Sequence, residues 1–221
     1  MINHTETPQE KILHFPNGNV KEKKYVLGGK LEGEYASYYS NGQVMARLYF
    51  SRGKRNGGAV SYYPSGQVKE RGCYVNDKMD GPYTSYYENG HVREEENYKA
   101  GKLHGTYRRY YKTGELKVEE NFKNGKFDGE YVCYYKSGQI KEKGRFVRDK
   151  REGEYIAYLK NGQIKEKATY KNGNLVGEFY SFQNIAANGE ESSADNACGS
   201  WEEKDIADLL QDLANFDKIN K

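Results

Sequence analysis

Glycine recurs in this chain with a period that leaves the fold little freedom. Gly18, Gly42, Gly66, Gly90, Gly114, Gly138 and Gly162 stand 24 residues apart without exception. A second series, Gly33, Gly57, Gly81, Gly105, Gly129, Gly153 and Gly177, keeps the same period. A third runs Gly29, Gly53, Asp77, Gly101, Gly125, Asp149, Gly173 and admits Asp twice. Three registers that agree over seven copies define an array of like units, each too small to bury a core alone and therefore stacked on its neighbours.

Within a unit the pattern reads strand, turn, strand, turn. Gly81-Pro82-Tyr83-Thr84-Ser85-Tyr86-Tyr87 is β-prone and runs into Glu88-Asn89-Gly90. Val92 to Tyr98 then returns toward Lys99-Ala100-Gly101-Lys102. Tyr, Val and Thr suit a pleated surface, and the Asn-Gly, Ser-Gly and Thr-Gly pairs are hairpin signals. Glycine recurs too often over residues 11–182 for a helix to persist there. Seven two-stranded units predict an all-β, elongated, single-layer antiparallel sheet of about fourteen strands, roughly 65 Å long at about 4.8 Å per strand. Residues 1–10 lie outside the pattern and read as disordered.

The turn type decides which side chains share a face. In Tyr63-Pro64-Ser65-Gly66-Gln67, a two-residue turn would put Pro64 in the strand, where it forfeits a ladder hydrogen bond. A three-residue loop gives Pro64 the first central position of a type I turn and Gly66 the left-handed position. Tyr62 then faces Val68, and Tyr63 faces Gln67. One face collects Tyr38, Tyr62, Tyr86, Tyr110, Tyr134 and Tyr158 with the aromatic column Phe50, Tyr74, Tyr98, Phe122, Phe146 and Tyr170, and reads as the packing face. The other carries Tyr63, Tyr87, Tyr111 and Tyr135 in one column and Tyr83, Tyr107 and Tyr131 in a second, with Lys69, Arg93, Lys117 and Lys141 between them. A two-residue turn would re-sort both faces by one position.

Composition supports a thin, ordered molecule. Only 36% of the 221 residues are hydrophobic, below the roughly 45–50% of compact globules, yet 14% are aromatic, too many for a disordered chain. No apolar run of about 18 residues marks a membrane helix, and Met1-Ile2-Asn3-His4-Thr5-Glu6 lacks the shape of a signal peptide, so a cytoplasmic location is expected. Cys73, Cys133 and Cys198 are far apart, form no CxxC and leave an odd one over, which speaks for a reduced compartment and against a disulfide framework or a zinc site.

The repeated unit, Gly-x-Tyr-x-x-Tyr-Tyr-x-x-Gly-x-Val-Lys-Glu followed by an aromatic and Asn-Gly-Lys-x-x-Gly, resembles the MORN repeat. It is closest to the bacterial variant found in YwqK-type antitoxin proteins. Good copies are Gly129-Glu130-Tyr131 through Lys141-Glu142 and Tyr170-Lys171-Asn172-Gly173 through Gly177-Glu178. Ala59 and Leu159 depart from the pattern where Tyr is expected, and the first unit is abbreviated before His14-Phe15-Pro16-Asn17-Gly18. The resemblance implies consecutive β-hairpins over residues 11–182 and a scaffolding, protein-binding, lipid-contacting or toxin-neutralising role.

The end of the chain differs in kind. Nine acidic residues against three lysines from residue 185 onward leave the tail at −6, so the total of +3 implies a body of +9. Residues 183–199 read as a linker. Ser200-Trp201-Glu202-Glu203 has capping-box spacing, and Trp201, Ile206, Leu209, Leu210, Leu213 and Phe216 form the apolar side of an amphipathic helix expected over residues 200–219. Such a helix caps the array, docks a partner or covers the basic face. An open last strand would otherwise pair with another chain, including a second copy.

No catalytic constellation is present. His4, His14, His91 and His104 are scattered and read as exposed loop residues, while the carboxylate runs Glu94-Glu95-Glu96 and Glu119-Glu120 read as a solvated face. Neither a phosphate-loop nor a dinucleotide fingerprint occurs. The expectation is a non-enzymatic binding protein without cofactor or metal, antitoxin-like or immunity-like, that engages a protein along its Tyr/Lys face. The alternatives are a peripheral module for anionic lipid headgroups and a translocated bacterial effector with a docking helix. Nucleic acid is disfavoured because Glu95, Glu119 and Glu142 interrupt the basic stripe.

Overall fold

A computed structural model describes residues 7–181, and all of the regular structure there is β. The expected linker and the expected helix, with Trp201, Ile206, Leu209, Leu210, Leu213 and Phe216, lie outside the described residues. Nineteen strands form one antiparallel sheet, in which strands neighbouring in the chain are neighbours in space. The count exceeds fourteen because the array has fifteen strand positions and the strand after the second turn is interrupted in four units. One example is Lys78–Met79 followed by Gly81–Tyr86, where in another unit Lys54–Tyr62 is continuous. The first strand begins at Gln9, two residues ahead of the expected boundary.

The first turn of each unit is the three-residue loop. The Tyr63 N–H donates to the Gln67 carbonyl at 2.8 Å and the Gly66 N–H to the Tyr63 carbonyl at 2.8 Å, with Gly66 at φ +87°. The second turn has two residues, both left-handed: Asn76 at φ 50° and Asp77 at φ 68°, between the paired Val75 and Lys78. This is the type I′ geometry that Asn-Gly favours. Asp at 77 and 149 takes the glycine's place and gains a bond: the carboxylates accept the Arg55 and Phe127 N–H groups of the preceding unit, each at 2.8 Å.

A β-bulge, unmarked in the composition, changes the faces. Tyr62 pairs with Val68 as expected, but the next pair is Ser61 with Glu70, so Lys69 is left over. The same extra residue is Arg93 between Val92 and Glu94, Lys117 between Leu116 and Val118, and Lys141 between Ile140 and Glu142. One surplus residue reverses the facing of everything beyond it. The column Phe50, Tyr98, Phe122, Phe146 and Tyr170 therefore leaves the Tyr62 face and joins Tyr35, Tyr83, Tyr107, Tyr131 and Tyr155. The two sets meet edge to face with ring centroids 5.9–6.3 Å apart. The partition read from the sequence is corrected accordingly: Tyr83, Tyr107 and Tyr131 are core residues, exposed by only 9%, 2% and 7%.

Candidate functional site

Tyr63, Tyr87, Tyr111 and Tyr135 occupy one position at the loop end of successive hairpins and are half-buried. Each phenol donates to a backbone carbonyl of the next unit: Tyr63 to Tyr86 at 2.7 Å, Tyr87 to Tyr110 at 2.8 Å, Tyr111 to Tyr134 at 2.8 Å and Tyr135 to Tyr158 at 2.7 Å. Tyr39 does the same toward Tyr62 at 2.7 Å. The bond fixes the ring and staples consecutive units together.

The bulge delivers the cations. A surplus residue is not bound into the ladder, so its side chain can be re-aimed. Lys117 Nζ stands 5.4 Å from the Tyr111 ring centre and Lys141 Nζ 5.9 Å from that of Tyr135, within cation–π range. Arg93 Nε lies 3.4 Å from a Glu94 oxygen. Lys69 occupies the equivalent bulge and is likewise half-buried. Thus the four predicted cations share one structural cause with one another and one neighbourhood with the Tyr63 column.

Beneath them runs a set of carboxylates that does not match the solvated face expected. Glu94, Glu96 and Glu120 are 6%, 3% and 1% exposed, while Glu95 and Glu119 alternate to the other side. Tyr35 donates to Glu22 at 3.0 Å, Tyr83 to Glu70 at 2.7 Å, Tyr107 to Glu94 at 3.2 Å and Tyr155 to Glu142 at 2.8 Å. Ser61 and Ser85 add donors to Glu70 and Glu94. The constant Tyr–Glu separation of 13 residues was available in the sequence as a signal. Burial drives the Glu96 carboxyl up to about 7, against the hydrogen bond from Tyr98 that favours its charged form. The buried phenols of Tyr83, Tyr107 and Tyr131 are pushed well above the ordinary tyrosine range, first by burial and then by the adjoining carboxylates.

This arrangement holds aromatic rings and charges in columns; it does not converge unlike groups on one reacting atom. Among the described residues no group of three His, Cys, Asp or Glu side chains could hold a metal ion. The histidines differ in setting: His14 and His91 are exposed, whereas His104 is half-buried, with no hydrogen-bond partner for its Nδ1.

Fold and columns together define a β-hairpin repeat scaffold, in which like units stack side by side in a single sheet. The chain belongs to the MORN repeat family: the family model described as a MORN repeat variant matches residues 31–51, 55–76, 79–100, 103–124, 127–148 and 151–172. That family is a non-catalytic repeat type. No curated protein sequence matches the chain. Among solved structures, one similar chain belongs to a GtfA/B complex bound to UDP and GlcNAc, with 12% identity and a TM-score of 0.21 over 66% of this chain. This protein spans 26% of that chain's length. A protein of unknown function from Bacteroides fragilis NCTC 9343 is similar over 78% of this chain and 99% of its own, with 10% identity and a TM-score of 0.14.

Proposed function

We propose that the array is a non-enzymatic scaffold that binds a partner protein along the sheet face bearing Tyr63, Tyr87, Tyr111 and Tyr135 together with Lys69, Arg93, Lys117 and Lys141. The observation that carries this reading is the recurrent bulge, which sets one cation per unit beside a ring whose orientation is already fixed. Rigid aromatic area costs little entropy on binding, and neighbouring cations steer an acidic partner and fix its register. MORN repeats commonly mediate protein or lipid contacts. A stapled, bulge-decorated face suits a protein surface better than a bilayer, which needs an apolar element to insert. Within protein binding, the resemblance to antitoxin proteins makes a toxin the natural class of partner.

Affinity purification from the native host tests this. A protein partner in stoichiometric amount should be retained by the wild type and lost when Lys69, Arg93, Lys117 and Lys141 are all changed to Ala. Recovery of the protein in membrane fractions alone, or a partner indifferent to that variant, would overturn the reading.

A further inference from the structure

The long edge formed by the two-residue turns differs from the face and from the opposite edge. Lys30, Lys54, Lys78, Lys102, Lys126 and Lys150 each follow such a turn, 24 residues apart, and all six are exposed. Two strands per unit at about 4.8 Å place successive lysines roughly 10 Å apart. Four of the stems run beside the turn of the next unit. The side-chain carbons of Lys30, Lys78, Lys102 and Lys150 lie 3.5–4.0 Å from where a Cβ would stand on Gly53, Gly101, Gly125 and Gly173, the turn glycines of the next unit. Arg52 and Arg148 lie within these turns, and Lys99 and Lys123 flank them.

Carboxylates on this edge, Asp128 apart, are committed to the backbone. Glu32 accepts the Arg52 N–H at 2.7 Å, Asp80 the Ala100 N–H at 2.9 Å and Glu152 the Asn172 N–H at 2.8 Å. Asp77 and Asp149 accept those of Arg55 and Phe127. Among the described residues only Lys126 of the six lysines has an ion-pair partner, Asp149 at 3.7 Å. The opposite edge sets Lys112, Lys136 and Lys160 against Glu88 and Glu115, so the excess of positive charge belongs to one edge.

We propose that this lysine edge docks an extended, acidic polypeptide segment of a partner protein. The proposal rests on the protein-binding reading above and adds a second contact made by different residues. Three considerations select the occupant. Adjacent strands rotate by about 20–25°, so successive lysines turn through roughly 45° and the row winds around the sheet. A flat anionic membrane meets one or two of them at a time, whereas a flexible chain follows the whole row. Single-stranded nucleic acid could follow it too, but such sites pair cations with aromatic platforms for the bases, and no residue of these turns is aromatic. Lysine is a mobile point charge that makes no demand for bidentate geometry. It accepts carboxylates at irregular intervals, as a disordered acidic segment presents them.

The test is fluorescence anisotropy of the full chain with a labelled poly-L-glutamate of about 20 residues at low ionic strength, where exposed charges are least screened. Changing Lys30, Lys54, Lys78 and Lys102 together to Gln should weaken binding about tenfold or more and flatten its salt dependence. The same four changed to Arg should bind as the wild type does, which separates lost charge from lost fold. Changing Lys112, Lys136 and Lys160 of the opposite edge to Ala should leave poly-L-glutamate binding within about twofold of wild type. Equal binding by the Gln variant, no binding by the wild type, or tighter binding of oligothymidylate or phosphatidylserine vesicles would each overturn the proposal. A native partner lost with the face variant but kept by the edge variant removes this inference and leaves the face reading standing.

Discussion

Glu96 stands opposite Tyr83 in the ladder, on the aromatic face and almost wholly buried. Glu94 and Glu70 crowd it with like charge, Arg93 partly offsets them, and Tyr98 donates its phenol proton. The carboxyl is raised by burial from 4.5 to about 7, so the folded protein holds a proton that the unfolded chain has already lost in that window. Stability contributed by the neutral form is fully present below about 4.5 and falls as pH rises through 7. Glu96→Gln keeps an acceptor for Tyr98 and removes the ionisation. Relative to wild type it should gain on the order of 3 kcal/mol at pH 8 and nothing at pH 4, an upper figure drawn from the size of the shift. Urea melts of both proteins at the two pH values decide this, and an equal gain at both would refute the assignment. The burial of Glu94, Glu96 and Glu120 could not be read from their runs, because alternation says which residues part company and not which of them faces the core.

At the scale of the hairpin, the turns were legible and the bulge was not. Pro64 and Gly66 have conformational requirements that only one loop satisfies, and the two-residue turns carry their own signature in Asn124-Gly125 and Asn172-Gly173. Lys69 has no such mark. A surplus residue in a strand is set by the fit between neighbouring ladders, and its consequence, the reversed facing of the strand beyond it, brought Phe50, Tyr98, Phe122 and Phe146 onto the face of Tyr83, Tyr107 and Tyr131 and made that face the core. The Tyr63 column kept its face because it precedes the bulge in each hairpin. Its role in joining units has a measurable size. Tyr63→Phe deletes the phenol that bonds the Tyr86 carbonyl at 2.7 Å and leaves the ring in place. A loss of about 1 kcal/mol is expected, seen as a lower urea midpoint with unchanged m-value. Tyr39→Phe, which cuts the equivalent bond to Tyr62, should cost a similar amount. An unchanged midpoint in both variants would mean that these bonds do not couple the units.

The 24-residue period governs the whole array, and it sets a rule about length that composition alone would not. Each unit contacts mainly its neighbours, so stability is a sum of unit and interface contributions and a complete unit can be removed without loss of the fold. Deleting residues 36–59 joins Tyr35 to Val60, so that Val60, Ser61 and Tyr62 take the places of Ala36, Ser37 and Tyr38. Glu22 would then receive Ser61 in the position where it now faces Ser37. Every later residue keeps its face. Deleting residues 36–58 leaves one residue more and yet breaks the register, because Ala59 then follows Tyr35, Val60 enters opposite Glu22, and every side chain up to the next turn changes sides. The shorter protein should therefore be the better folded of the two. It should unfold cooperatively, with an m-value reduced in proportion to the smaller sheet, while the longer one melts broadly and loses hydrogen-exchange protection around the junction. Equal behaviour of the two deletions would show that local bulges absorb the extra residue, and that the period reflects the repetition of turns more than the packing of one face.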